Sequence, residues 1–165
     1  NTMPELIAYM KANPGKLNFA SPGVGTGPHM VAELFRTKAA CVTCHTPPTL
    51  TDNQFHNIGV PQVGPLAEDN GRYEVSKNAS DKGAFKTPSL YNSGSFAFYM
   101  HDGAFRKLSQ VVAHYNRGGD PKNANQDKLI FPLNLTDKEQ VDLVAFLNSL
   151  TDKRLDAISP PADLP

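Results

Sequence analysis

A mainly α domain with long loops is what this sequence predicts, and three observations predict it. Apolar residues recur at helical spacing in only a few short stretches. Turn-forming residues, 12 Gly and 14 Pro among 165 residues, crowd the chain between those stretches. The last of the stretches then carries the clearest helix signature. Thr136 followed by Glu139 is a capping-box pattern, and Val141, Val144, Leu147 and Leu150 continue it at helical spacing.

The other elements follow in order. Thr2 and Pro4 open a short helix over Glu5 to Ala12, which Asn13-Pro14-Gly15 ends. Leu17 to Ser21 reads as a strand leading into the Gly-rich turn Pro22-Gly23-Val24-Gly25-Thr26-Gly27. His29 to Lys38 has helical spacing, with Met30, Leu34 and Phe35 on one side. From Thr46 to Lys86 the chain reads mostly as loops, marked by Pro47-Pro48, Asn57-Ile58-Gly59 and Asn70-Gly71. Ser109 can cap a helix that runs to about Asn116, where Gly118-Gly119 stops it. The tail beyond Asp152, rich in Pro and Asp, reads as a surface-hugging or loose end.

Composition excludes several classes. Sixteen basic residues balance sixteen acidic ones, which argues against a general nucleic-acid binder or a polybasic membrane-surface protein. No stretch approaches the roughly 18 apolar residues of a membrane span. The length suits one domain with its own core.

Cys41-Val42-Thr43-Cys44-His45 is the attachment pattern of a c-type haem. Two thiols about one helical turn apart meet the two vinyl groups on one porphyrin edge, and the adjacent imidazole swings beneath the iron as proximal ligand. A thioredoxin-like pair would want a βαβ setting and no following His; a zinc site would want a second pair of ligands. Both cysteines are consumed by the haem, so no disulfide framework remains. A buried porphyrin also supplies the centre that so loop-rich a chain needs. One helix leading to the motif and another closing the domain give the outline of a cytochrome c-like fold, with long loops around one covalently bound haem. Such attachment implies an exported, periplasmic protein. The chain opens on Asn1 with no signal peptide, which reads as a processed or trimmed form.

Four residues are candidates for the sixth iron position: Met100, His101, His114 and Tyr115. Thioether would favour Fe(II) and a high potential; phenolate would favour Fe(III) and a low one. Spacing does not choose among them.

From about Lys38 to Asp152 the chain resembles the C-terminal haem domain of bacterial di-haem cytochrome c peroxidases and MauG-like proteins. Besides the haem motif, the matching pieces include Thr51 to Gly59, Gly71-Arg72-Tyr73 and Gly83-Ala84-Phe85-Lys86-Thr87-Pro88-Ser89-Leu90. Tyr99-Met100-His101-Asp102-Gly103, Val111 to Asn116 and Pro132 to Thr136 complete them. The resemblance implies that the helix after the His-Asp-Gly turn supplies the sixth ligand, which points to Tyr115, with Met100 as the alternative. Three departures stand out. The family's Leu-Arg-Asn is Leu90-Tyr91-Asn92 here. The Thr-x-Pro turn whose carbonyls hold calcium is Phe96-Ala97-Phe98, which weakens the case for calcium. The chain carries one haem motif and no Trp, whereas the family uses two haems.

Residues 2 to about 35 resemble part of the solute-binding proteins of tripartite tricarboxylate transport. In those proteins the Ser/Gly-rich turn offers helix amides to a carboxylate. The expected division is therefore a segment 1–35, a cytochrome domain 36–152 and a tail 153–165. The leading expectation is electron transfer through one haem, with a small cytochrome or a second haem domain as partner. A peroxidase completed by a second haem elsewhere is the alternative, and a carboxylate-binding module with an appended haem is another.

Overall fold

The computed structural model describes residues 27–63, 68–120 and 122–152. The expected helix at Glu5 to Ala12, the strand at Leu17 to Ser21 and the C-terminal tail lie outside them.

Four helices and one small sheet carry the described chain: α1 (Gly27–Arg36), β1 (Phe55–His56), α2 (Tyr73–Ser76), β2 (Phe85–Lys86), α3 (Leu108–Asn116) and α4 (Asp137–Ser149). The two strands pair antiparallel, with Phe55 opposite Lys86 and His56 opposite Phe85. Short 3-10 turns form at Cys41–Thr43, Ala79–Asp81 and Ser93–Ser95. Loops hold most of the remainder, as the Gly and Pro content requires.

Helix α4 begins where the sequence places it. The Thr136 hydroxyl accepts from the Glu139 amide, and Glu139 Oε2 accepts from the Thr136 amide at 2.7 Å. Each side chain thus satisfies an amide that the helix leaves without a partner. Glu139 also meets Lys38 Nζ, at 2.7 and 2.9 Å, tying the end of α1 to the start of α4.

Of the expected α4 stripe, Leu147 is buried and Val144 and Leu150 pack against the core, but the first position, Val141, does not. Leu143 and Leu147 are buried, whereas Val141 is 67% exposed. The reason is geometric. Each step of three residues turns about 300°, so a run of such steps drifts about 60° per step and ends on the opposite side of the helix. The i, i+4 pair Leu143 and Leu147 stays on the core face instead. Met30 is likewise exposed, while Phe35 turns inward and meets Phe146 with ring centroids 5.1 Å apart.

Helix α3 starts one residue earlier than expected and is not capped by Ser109. Gln110 does that work, its Oε1 accepting from the amides of Arg106 and Lys107 at 2.8 and 3.1 Å. At the other end, Asn116 pairs with both backbone groups of Leu135, which fixes the approach to α4. Gly118 has φ +82°, and a Cβ there would lie 2.6 Å from the Pro132 nitrogen, so only glycine fits this crossing. Phe35, Leu108, Val112, Leu143 and Leu147 form one core, and Cys41 and Val42 pack against its edge.

Candidate haem site

The cysteine motif leaves α1 through a sharp bend. Ala40 sits in the left-handed region at φ +50°, and Cys41–Thr43 then forms a single 3-10 turn. The two cysteines form no disulfide. Burial pushes the Cys41 thiol up to about 12. Burial, followed by the carboxylates of Asp52 and Asp127, pushes Cys44 up to about 11. Before attachment to haem both would therefore be neutral thiols at neutral pH, held at the core edge.

His45 is oriented by backbone carbonyls, chiefly that of Leu50, with that of Pro88 also at hand. Its Nδ1 lies 3.0 Å from the Leu50 carbonyl oxygen. A carbonyl can only accept, so Nδ1 carries the proton and the neutral ring keeps its lone pair on Nε2. That is the tautomer a metal-ligating imidazole adopts. Burial holds His45 below the ordinary imidazole value, which keeps the ring neutral. Leu50 itself is buried and sits at φ +53°, a conformation a non-glycine residue holds only when its surroundings impose it.

The sixth-ligand candidates separate. His114 is fully buried; its Nε2 faces the Ile58 carbonyl at 2.8 Å and its Nδ1 accepts from Arg117 Nη2 at 2.8 Å. Both its nitrogens are engaged. The exposed His101 ring stacks on Phe85, centroids 3.8 Å apart. Met100, at φ +72°, lies in a tight loop closed by the backbone pair Tyr99 and Phe105. Tyr115 differs from these three. Burial drives its phenol well above the ordinary value, and Cys41 and Cys44 add to that rise, so its oxygen lies within their electrostatic reach. Among the described residues the Tyr115 hydroxyl makes no hydrogen bond.

Two arrangements escaped sequence reasoning. Tyr91, where the resembling family has Arg, donates its hydroxyl to the Pro48 carbonyl at 2.8 Å and latches the loop after the motif. His56 lies between two carboxylates, with Nδ1 2.6 Å from Asp127 Oδ2 and Nε2 3.0 Å from Asp52 Oδ2. The pair four residues apart was visible in the sequence. Asp127 was not, because it arrives from a distant loop.

The Cytochrome c family profile matches residues 31–151. The chain belongs to the cytochrome c family. A cytochrome c domain implies a covalently bound haem c, and the donor set suits that group: two thiols at the spacing for thioethers, beside an imidazole of the right tautomer. A second profile, that of the tripartite tricarboxylate transporter family receptor, matches residues 1–55 and overlaps the start of the cytochrome match.

Over 145 residues this cytochrome is 37% identical to the cytochrome-c peroxidase IdrP1 of Denitromonas iodatirespirans, which covers 72% of the chain and 38% of that protein. A MauG-like protein associated with microbial copper homeostasis superimposes with a TM-score of 0.72 at 29% identity, over 81% of the chain and 49% of that structure. A variant of the diheme peroxidase BthA of Burkholderia thailandensis gives a TM-score of 0.68 at 25% identity, over 84% of the chain and 45% of that structure. The fold is thus that of a MauG-like diheme peroxidase domain, as the sequence implied, and the chain spans between about two fifths and half of these relatives. Among the described residues no helix is long and apolar enough to cross a membrane.

Proposed function

We propose that this cytochrome carries a single haem c bound through Cys41 and Cys44, with His45 as proximal ligand and Tyr115 as sixth ligand, and that it relays electrons in the periplasm. The observation that carries the reading is the His45 Nδ1 bond to Leu50, which commits the ring to the ligating tautomer. The haem supplies an iron that alternates between Fe(III) and Fe(II). The chain's own residues do the rest. The Leu50 carbonyl holds the imidazole plane, and the core edge at Cys41 and Val42 excludes water from one side. Tyr115, on α3 and within electrostatic reach of the cysteines, would offer an oxygen that favours Fe(III). His114 pins that helix from the other side of its neighbour.

The residue division follows the same reading: a segment 1–35, the cytochrome domain 36–152 and a tail 153–165. The electron partner is a second haem domain or a small cytochrome. The relatives' names favour one further reading, peroxidase activity by a larger protein or assembly of which this domain is the electron-relaying part.

The test is ligand replacement in the oxidised haem protein. Tyr115→Phe should shift the Soret band and open the iron to cyanide, whereas Met100→Leu should leave the spectrum nearly intact. The reverse pattern would assign the sixth position to Met100 and a high potential with it.

A further inference from the structure

The His56 cluster has no part in the ligation just described, yet it sits against the motif. Cys44 Sγ, an Asp52 oxygen and a His56 nitrogen all lie within 4.8 Å of one another. Three segments converge to build it. The Asp52 amide donates to the Cys44 carbonyl at 2.8 Å, so this carboxylate hangs directly from the haem motif. Its Oδ1 accepts from the Gln54 amide while its Oδ2 meets His56. Asp127 is placed by its own amide, which donates to the Asn57 carbonyl at 2.8 Å, and by the Leu129 amide on its Oδ1.

With both carboxylates held below their ordinary value and so ionised at neutral pH, the hydrogen-bond partners fix the charge state of His56. Both ring nitrogens of His56 face ionised carboxylate oxygens, which only accept, so both nitrogens carry protons and the ring is an imidazolium. Two carboxylates and one imidazolium leave a net charge of minus one. The side chains are only 14%, 19% and 27% exposed, so solvent screens that charge less than it would a surface pair. The groups that feel it are already identifiable: Asp52 and Asp127 both act on Cys44, and Asp52 and His56 both act on His45.

We propose that the Asp52–His56–Asp127 cluster sets the reduction potential of the haem, acting as a fixed net negative charge at the Cys44 edge. Negative charge beside the iron stabilises Fe(III) over Fe(II), so the cluster holds the potential down; the partial neutralisation by His56 limits how far. The proposal rests on Cys44 carrying the haem, and it is independent of which residue fills the sixth position.

Two near-isosteric substitutions separate this role from a structural one. Potentials are measured by spectroelectrochemistry at pH 6, below the ordinary imidazole value of about 6.5. Only chains whose denatured mass shows covalent haem are compared, so failure of attachment is read separately from failure of the proposal. Asp127→Asn removes one negative charge and should raise the midpoint. His56→Gln removes the positive charge and should lower it. Asp127→Glu keeps the charge and should stay near the parent value. A merely structural cluster would loosen the crevice in each variant and move both midpoints the same way. Shifts of one sign in Asp127→Asn and His56→Gln, or no shift in either, overturn the proposal. Where His56→Gln does not retain haem, Asp52→Asn replaces it as a second carboxylate test and must also raise the midpoint.

Discussion

Leu143→Ala and Val141→Ala, two residues apart on α4, should behave oppositely. Leu143 is 3% exposed and packs in the core with Leu147 and Phe35, behind the cysteine motif. Truncating it removes three carbons from a site whose neighbours belong to two other helices and cannot close fully around the void. The cost should be about 3–4 kcal/mol, within the range of about 2–5 kcal/mol for buried Leu truncations. Val141 is 67% exposed, and its truncation should cost no more than about 0.5 kcal/mol. For a domain of this size the first figure corresponds to a fall in Tm of roughly 10 °C or more, the second to little more than 2 °C. The assay is thermal and guanidinium unfolding of the haem-loaded protein by far-ultraviolet circular dichroism, at equal haem content because a bound group shifts apparent stability. Equal losses at the two positions, or a larger loss at Val141, would refute the packing described for α4.

Two further outcomes are expected. Stability should fall on both sides of a plateau in pH. Burial raises Asp52 and Asp127, but their hydrogen bonds, to His56 among others, outweigh it and leave both below the ordinary carboxylate value. Their contribution is therefore present above about pH 4 and lost as pH falls through the depressed values. Burial lowers His56, but the two carboxylates outweigh it and raise the ring above its ordinary value, so its contribution is complete below about pH 6.5 and lost as pH climbs through the raised value. His56→Gln should flatten the alkaline side in a titration of unfolding midpoints; an unchanged alkaline slope would sink the assignment. Secondly, the isolated haem-loaded chain should turn over hydrogen peroxide negligibly in a steady-state assay with a reduced donor, because the ligation proposed for His45 and Tyr115 would leave peroxide no open iron position. Robust turnover would mean that the sixth position is vacant or labile.

The haem motif and the two helices that frame it were legible because their signals are local. Cys41 to His45 is a contiguous pattern, and the Thr136–Glu139 box spans a single turn. Residues of low periodicity were read less well. On α4 the expected stripe holds at Val144, Leu147 and Leu150 and fails at Val141, with Leu143 taking its place, because residues three apart look equivalent over one turn and diverge over several. The cap of α3 was assigned to Ser109, whereas Gln110 reaches back to two amides, a role its side-chain length permits and its position does not advertise. The small sheet joining Phe55–His56 to Phe85–Lys86 has only two residues in each strand, too few to show alternation. The His56 cluster depends on Asp127, brought in by a loop whose path only the folded chain defines. Tyr115 was singled out through the family resemblance; His101 and His114 are engaged elsewhere.

The most direct measurement is the intact mass of the haem-loaded chain under denaturing conditions, compared with Cys44→Ala. One haem per chain, retained after unfolding and weakened or lost in the variant, is the predicted result. A haem that extracts freely into acidified organic solvent, or a mass equal to the bare polypeptide after expression with an active haem-attachment system, would contradict the account.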